Sequence, residues 1–461
     1  MGVLRKTLRV VLWVVGVIIA LPIVLYLVLL AINLRDQPPS ADALAFEAAL
    51  RDAPEVADAA NAYVFLLGYS ASRDRDPAVL GAERAAWIRA MREDSSITWD
   101  DDPERTEGAT DAGVYEALRD FLCDPDAACD ASIDDKRERL GAAIATQAWA
   151  LERYRRLLAY SAWADVTTRD FRTMWPAFSP VNHTRMLYLL EARLRADAGD
   201  ATGVRDALGL DLDFWRLSLR ESDTLLSKAL AESSIRRHFQ WGNLILRRLP
   251  PAARAEGIPA SWRRPLSDDE RSMTRAFRGE WDFSRRTMQH TKANDLPPLT
   301  SSVQYSPTLA DRISRRLSAS LLQPQDFANQ YAALLLRLEA LHETEYTEFP
   351  ASLLRARTFD PRRRGLGALY NVGGDVSVVE PSVIADYCAR VSDLEGVRRA
   401  ALVTAELRAR DVPADGVAAA LAVDDARNPY TGEAFQWVAA RSAIGVTGLQ
   451  SSTNRYTEFL Y

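Results

Sequence analysis

Apolar residues along this chain fall into two rhythms, one unbroken run at the start and a repeating helical stripe through most of the remainder. From Val10 to Ile32 there are 23 residues without a charge, longer than the ~20 needed to cross a bilayer core. Beyond it the spacing is three and four, as an amphipathic helix requires. Leu140, Ile144, Leu151 and Leu158 keep one face across residues 133–164, and Leu187, Leu190 and Leu194 do so before the Ala198-Gly199-Asp200 turn. Val204, Leu208, Leu212, Trp215 and Leu219 form the next stripe, and Leu225, Leu230, Phe239, Leu244 and Leu249 another, ended by Pro250-Pro251. Phe327, Tyr331, Leu334, Leu335, Leu338 and Leu341 make the cleanest stripe, and Pro381 opens a helix carried on by Tyr387, Val391 and Leu394. Successive helices joined by short turns predict stacked antiparallel hairpins.

The rhythm breaks in three places. Residues 288–310 and 355–380, rich in Pro, Gly, Arg and Thr, read as loops or boundaries. From Asn428 the pattern changes: Asn428-Pro429-Tyr430-Thr431-Gly432 is a turn, Phe435 and Trp437 alternate with Gln436, and Ile444 and Val446 supply a returning strand. The fold class expected is therefore mainly α, an N-terminal transmembrane helix followed by stacked helical hairpins and a small C-terminal β-hairpin. The divisions are residues 1–35 for a cytoplasmic tip and anchor, 36–40 for a spacer and 41–290 for a helical-hairpin domain. Residues 291–427 form a second helical region, and 428–461 the hairpin and tail.

The apolar run reads as an anchor. A cleavable signal has a shorter apolar stretch and a small-x-small site, whereas this one leaves through Ala31-Ile32-Asn33-Leu34-Arg35. Arg5, Lys6 and Arg9 precede it, which predicts a cytoplasmic N-terminus and an exported body. Gln37-Pro38-Pro39-Ser40 is a stiff spacer in which Ser40 caps the helix from Ala41. Few contacts are then expected between anchor and domain.

Charge narrows the partners. The net charge is −6, and the three leading bases leave the remainder at −9. An acidic body lacks the basic face that nucleic acid requires. Four lysines stand against 53 arginines, a coding bias rather than a set of phosphate clamps. Cys123 and Cys129 flank the turn-prone Asp-Pro-Asp-Ala-Ala and are the disulfide candidate, favoured by an oxidising periplasm. Cys388 reads as an inert buried thiol.

The segments Asp58-Ala59-Ala60-Asn61-Ala62-Tyr63-Val64-Phe65-Leu66-Leu67-Gly68, Asp213-Phe214-Trp215-Arg216 and Asn428-Pro429-Tyr430-Thr431-Gly432 resemble those of membrane-anchored, helix-rich proteins of the proteobacterial envelope that have no assigned function. The resemblance spreads over most of the exported part. It implies a helical fold and an envelope location, and it carries no activity; the topology read from Arg5, Lys6 and Arg9 then predicts a single pass through the bacterial inner membrane with the main domain in the periplasm.

Candidate chemistry is sparse. His342-Glu343-Thr344-Glu345-Tyr346 begins like the zinc-protease helix but has Tyr where the second imidazole must stand. Gly68-Tyr69-Ser70-Ala71-Ser72 lacks the closing Gly of a nucleophile elbow. His183, His238, His290 and His342 are scattered, and no glycine loop has the setting to hold a phosphate. No catalytic residue, metal site or cofactor is assigned. Asp58 and the run Asp100, Asp101, Asp102, Glu104 are the carboxylates to watch, with a solvated loop as the ordinary reading. Most of the eleven tryptophans belong in a core. Trp99 and Trp175-Pro176, in loop-like contexts, are the ones to look for in a groove for a glycan or peptide.

Two functions follow. The favoured one is a non-catalytic envelope component whose helical surface binds another protein. The alternative is a periplasmic hydrolase of cell-wall or peptide substrates built on carboxylates. A deep pocket in which two carboxylates meet favours the enzyme, and a groove of aromatics and arginines favours binding.

Overall fold

The computed structural model describes residues 2–52, 55–94, 96–106, 112–293, 308–451 and 456–461. Helix α1 (Gly2–Ile32) is long and apolar enough to cross a membrane, and its side chains from Lys6 to Leu25 are exposed. Next come α2 (Ala41–Arg51), α3 (Ala62–Leu67), α4 (Pro77–Glu93), α5 (Ala112–Leu118), α6 (Ala127–Asp134), α7 (Arg137–Thr146) and α8 (Ala148–Leu158). The helical stripe of 133–164 is therefore broken, at Asp135-Lys136 and at Gln147. Gln147 ends α7, begins α8, and donates from its side chain to Gly113 O at 3.2 Å.

The long hairpins lie at the centre. Helices α9 (Phe178–Asp197), α10 (Ala201–Glu221) and α11 (Leu225–Arg247) are joined by turns of three residues each. Gly199 takes the left-handed conformation (φ 78°) that ends α9 without a Cβ clash. Asp200 then caps α10 through Gly203 N, and Thr224 caps α11 through Ser227 N. Every member of the α10 stripe is buried. Short helices α12 (Arg254–Gly257), α13 (Ala260–Arg263) and α14 (Asp268–Arg271) lead to α15 (Thr274–Ala293), α16 (Leu309–Ser320) and α17 (Pro324–Glu339). The chain closes with α18 (Phe349–Arg357), α19 (Val372–Ser377), α20 (Pro381–Ala409) and α21 (Val417–Val423). The expected loop at 288–310 is helical up to Ala293 and from Leu309, and its middle, 294–307, lies outside the described residues.

One continuous core runs through both helical regions, since α11 packs on α20 and α15 on both α2 and α17. Trp163, Trp215, Trp262 and Trp281 are all fully buried in it, and each such ring contributes a few kcal/mol by burial. Arginines cross the core as partnered ions: Arg84 with Asp102 (3.0 Å), Arg185 with Asp211 (2.8 Å) and Arg216 with Glu270 (2.6 Å). Such charges are tolerated inside only when paired and hydrogen-bonded.

The tail forms β1 (Gln436–Val438), β2 (Ala443–Thr447) and β3 (Tyr456–Leu460), an antiparallel sheet in that order. The expected hairpin is present, with Trp437 opposite Ile444, and a third strand is added to it. The turn closes through Gly432, at φ 69°. The Cys123 and Cys129 sulfurs are bonded, with the Cα atoms 5.7 Å apart.

Helix α1 is not loosely attached, a correction to the spacer reading. Ser40 does cap α2, yet the stretch before it is stitched to the start of α17 and to residues 369–371. Asn33 Oδ1 accepts from Asn371 N at 2.6 Å, and its amide donates to Leu369 O at 3.0 Å. Asp36 accepts from Gln325 N and Asp326 N, and Ser40 N donates to Asn329 Oδ1. The exposed amides at the N-terminus of α17 lack partners within that helix, and the carboxylate of Asp36 supplies one.

Candidate functional site

A cleft of about 760 Å³ opens between the end of α2, the outer face of α4, the first half of α15 and the α10–α11 turn. Its floor is the non-helical strap between α8 and α9. Asn61 pins that strap: its Oδ1 accepts from both Tyr63 N and Ala164 N at 3.0 Å, and its amide donates to Ala164 O at 2.9 Å. One side chain thus caps α3 and fixes the strap. On the opposite wall Gly279 lets α15 approach the α10–α11 turn. A Cβ there would stand 1.7 Å from the carbonyl oxygen of Asp223.

Two carboxylates meet at the base. Asp165 N donates to Asp223 Oδ2 at 3.2 Å, and Asp223 N donates to Asp165 Oδ2 at 3.1 Å. Asp165 also accepts from Thr224 Oγ1 and from the Trp163 indole, both at 2.7 Å. Burial and the neighbouring Asp223 charge push the Asp165 carboxyl up to about 7. Burial also raises Asp223, against the pull of Arg275, whose Nε bonds its Oδ1 at 3.0 Å. One carboxyl therefore carries a proton near neutrality while the other is held by a guanidinium. Glu280, beside Gly279, is a third acid raised by burial, with only the hydroxyls of Tyr331 and Ser284 at 3.5 Å to offset it.

Cations line the same space. Arg89 is held by Asp58 and Arg275 by Glu221 and Asp223. Arg92 donates to Thr167 O and is lowered to about 10 by burial and by the charges of Arg169 and Arg286. Among the described residues, neither Arg92 nor Arg278 has a carboxylate in ion-pair reach. Leu226, Trp175 and Phe283 give the walls their apolar part.

Of the residues singled out from sequence, Trp175 lines this cleft and Asp58 stands behind Arg89. Trp99 instead donates to Arg172 O at 3.0 Å. The acidic run is not a solvated loop throughout: Asp102 is buried, bonded twice by Arg84 at 3.0 Å, and Glu104 meets the same guanidinium at 2.7 Å. Asp101 closes a capping box with Thr98, and Asp100 pairs with Arg105. Ser70 contacts Glu104 on a turn rather than at a nucleophile elbow. His342 ends a short 3₁₀ turn and bonds Glu339 O, and Tyr346 stacks under Arg271 at 4.1 Å.

His238 is the histidine with an arrangement resembling a catalytic one. Its Nδ1 lies 2.8 Å from Asp211 and its Nε2 accepts from the Trp262 indole at 2.9 Å. Nε2 is thus an acceptor and Nδ1 carries the proton, so the ring is neutral, as its burial requires. No surface reaches this ring, which is fully buried. It braces the core. Among the described residues no group of three or more His, Cys, Asp or Glu stands together to hold a metal.

Sequence reading missed Asp165, Asp223, Glu280, Arg92 and Arg278. A partial signal existed for Asp223, which precedes the helix-capping Thr224. Comparison of the chain with protein-family models, with curated proteins and with solved structures found no match.

Proposed function

We propose that this chain is a membrane-anchored binding protein whose exported helical domain takes an acidic, partly apolar ligand into the cleft. The observation that carries this is the pair Arg92 and Arg278, which line a cleft of about 760 Å³ with no carboxylate in ion-pair reach among the described residues. By contrast Arg84, Arg185 and Arg216 are committed to buried acids. A ligand carboxylate or phosphate would supply the missing charge, and planar guanidinium forks suit both groups. Trp175, Phe283 and Leu226 favour an apolar body attached to that charge. An acidic segment of another envelope protein has both features. Lys6 and Arg9, in α1 ahead of its uncharged run, support a cytoplasmic N-terminus. The Cys123–Cys129 bond suits an oxidising periplasm beyond a bacterial inner membrane.

A second reading, a carboxylate-dependent hydrolase of peptide or cell-wall substrates, is favoured by one observation. Asp165 is raised to about 7 beside Asp223, which Arg275 holds, a division between acid and base that hydrolases use.

Calorimetric titration of the full-length protein with short peptides ending in a free carboxylate, and with their amidated counterparts, tests the binding reading. Loss of the carboxylate should weaken binding by about tenfold or more, and Arg278→Gln should erase the difference. Equal binding of both forms, or an unchanged preference in Arg278→Gln, would overturn it. Peptide or glycan cleavage abolished by Asp165→Asn would select the second reading. Alkaline phosphatase fused after residue 40 should be active outside the cytoplasm.

A further inference from the structure

The amphipathic helix α16 stands almost free of the domain. Leu309, Ile313 and Leu317 recur at four-residue spacing on one face and are 73%, 51% and 43% exposed. Arg312, Arg315 and Arg316 flank them, and the one acid of the helix, Asp311, closes its N-terminal capping box. A soluble domain has no use for a leucine–isoleucine stripe turned to water. An apolar face edged by arginines is the composition of helices that lie in a bilayer interface.

The position of α16 points the same way. Its last residue, Ser320, meets the Tyr26 hydroxyl of α1 at 2.7 Å. Tyr26 is six residues before the end of α1, about 9 Å along the axis, which puts this contact in the part of the span nearest its exit from the membrane. Tyr26, Leu29 and Leu30 of α1, with Asn33 just after it, form the face that the domain covers. In the 366–372 segment, Leu366 is 87% exposed, and Leu369 and Val372 are also exposed. That segment is tied to the same helix exit through Asn33 and through Tyr370, whose hydroxyl donates to Arg35 O at 2.9 Å. Two exposed apolar surfaces therefore ring the point where the spanning helix leaves the membrane.

We propose that α16 and the 366–372 segment dock on the outer surface of the bilayer that α1 crosses. The leucines and Ile313 enter the acyl boundary, and the arginines meet anionic lipid headgroups. The occupant is lipid because the surface is continuous with a membrane-spanning helix and carries the charge that complements acidic headgroups. The domain is then held at a fixed height and orientation instead of swinging on a tether. This inference rests on α1 spanning the membrane and is independent of what the cleft binds.

The test uses full-length protein in vesicles of phosphatidylcholine with a minority of phosphatidylglycerol. Ile313→Cys, Leu366→Cys and Val423→Cys each carry a polarity-sensitive fluorophore; Cys388 is buried and the other two cysteines are bonded. Val423, 82% exposed on α21, is the solvent control. Labels at 313 and 366 should be quenched by nitroxide-bearing lipids about threefold or more above the control and shielded from iodide, as immersion in the interface demands. Arg312→Glu/Arg316→Glu should return the 313 label toward water. Iodide access at 313 and 366 equal to that at 423, in protein that floats with the vesicles after alkaline carbonate, would overturn the docking and leave the anchor standing. Protein that fails to float would overturn the anchor and the docking with it. Shielding that follows the protein-to-lipid ratio would assign the surface to a second copy and overturn the lipid proposal.

Discussion

Asp165 and Asp223 each accept a hydrogen bond from the other's backbone amide, at 3.1 and 3.2 Å, so that the strap after α8 and the α10–α11 turn are fastened by two acids. Like charges this close cannot both ionise without cost. The clasp is therefore favoured when Asp165 carries a proton, and the cleft floor should respond to pH.

Folded, Asp165 binds a proton up to about pH 7, whereas the unfolded chain releases it near 3.8. The native state thus holds more protons across that window, and stability falls as pH rises through it. Asp223, raised by the same burial, acts in the same direction. The melting temperature should drop between about pH 5 and pH 7, and the slope should become shallower in Asp165→Asn, which cannot titrate. A variant slope identical to that of the parent would show that the proton resides elsewhere.

Gly279→Ala places a methyl 1.7 Å from the Asp223 carbonyl oxygen, a collision with backbone that no rotamer change relieves. We expect a loss of at least ~1–3 kcal/mol in chemical denaturation, together with weakened ligand binding because the cleft wall must move. Gly209→Ala, with nothing within 4 Å of the new atom, is the matched control within helix α10. It should gain up to about 1 kcal/mol from helix propensity.

Asp211 makes four contacts with three partners inside the core: Arg185 twice, at 2.9 and 2.8 Å, Tyr154 at 2.6 Å and His238 at 2.8 Å. The two arginine bonds hold its carboxyl far below the ordinary range despite burial. Asp211→Ala would leave the Arg185 charge buried without its counter-ion, at a cost of roughly 3–5 kcal/mol. Urea unfolding of the two proteins measures it, and a loss under 1 kcal/mol would mean that water enters this network.

Leu335 and Arg337 lie on opposite faces of α17. Leu335 is completely buried and Arg337 is exposed, over the Phe359 ring at 4.8 Å. Leu335→Asp should cost several kcal/mol, since a carboxylate arrives where no partner stands. Arg337→Ala should cost about 0.5–1 kcal/mol, the scale of an exposed cation–π contact. Thermal melts of the two variants that coincide would mean the buried face is misassigned.

What the sequence alone determined is what local periodicity and local chemistry can encode. The uncharged run set α1, the three-and-four spacing set the faces of α10, α11, α17 and α20, and Ser40 and the Asn428–Gly432 turn marked boundaries within a few residues of themselves. The pairing of Cys123 with Cys129 is local in the same way. Tertiary structure decided everything that depended on two polar residues meeting from afar. Asp165 meets Asp223 across 58 residues, and Asn33 meets Asn371 across 338. An acid bound for a buried pair is spelled like one bound for water, so Asp102 read as part of a solvated run until Arg84 closed on it. β3 was missed because it pairs with β2 across a long connection, and α16 because its stripe of three residues is too short to stand out. Apolar patterning repeats along the chain and can be counted, whereas a polar contact occurs once and takes its energy from a geometry that exists only after the helices have packed.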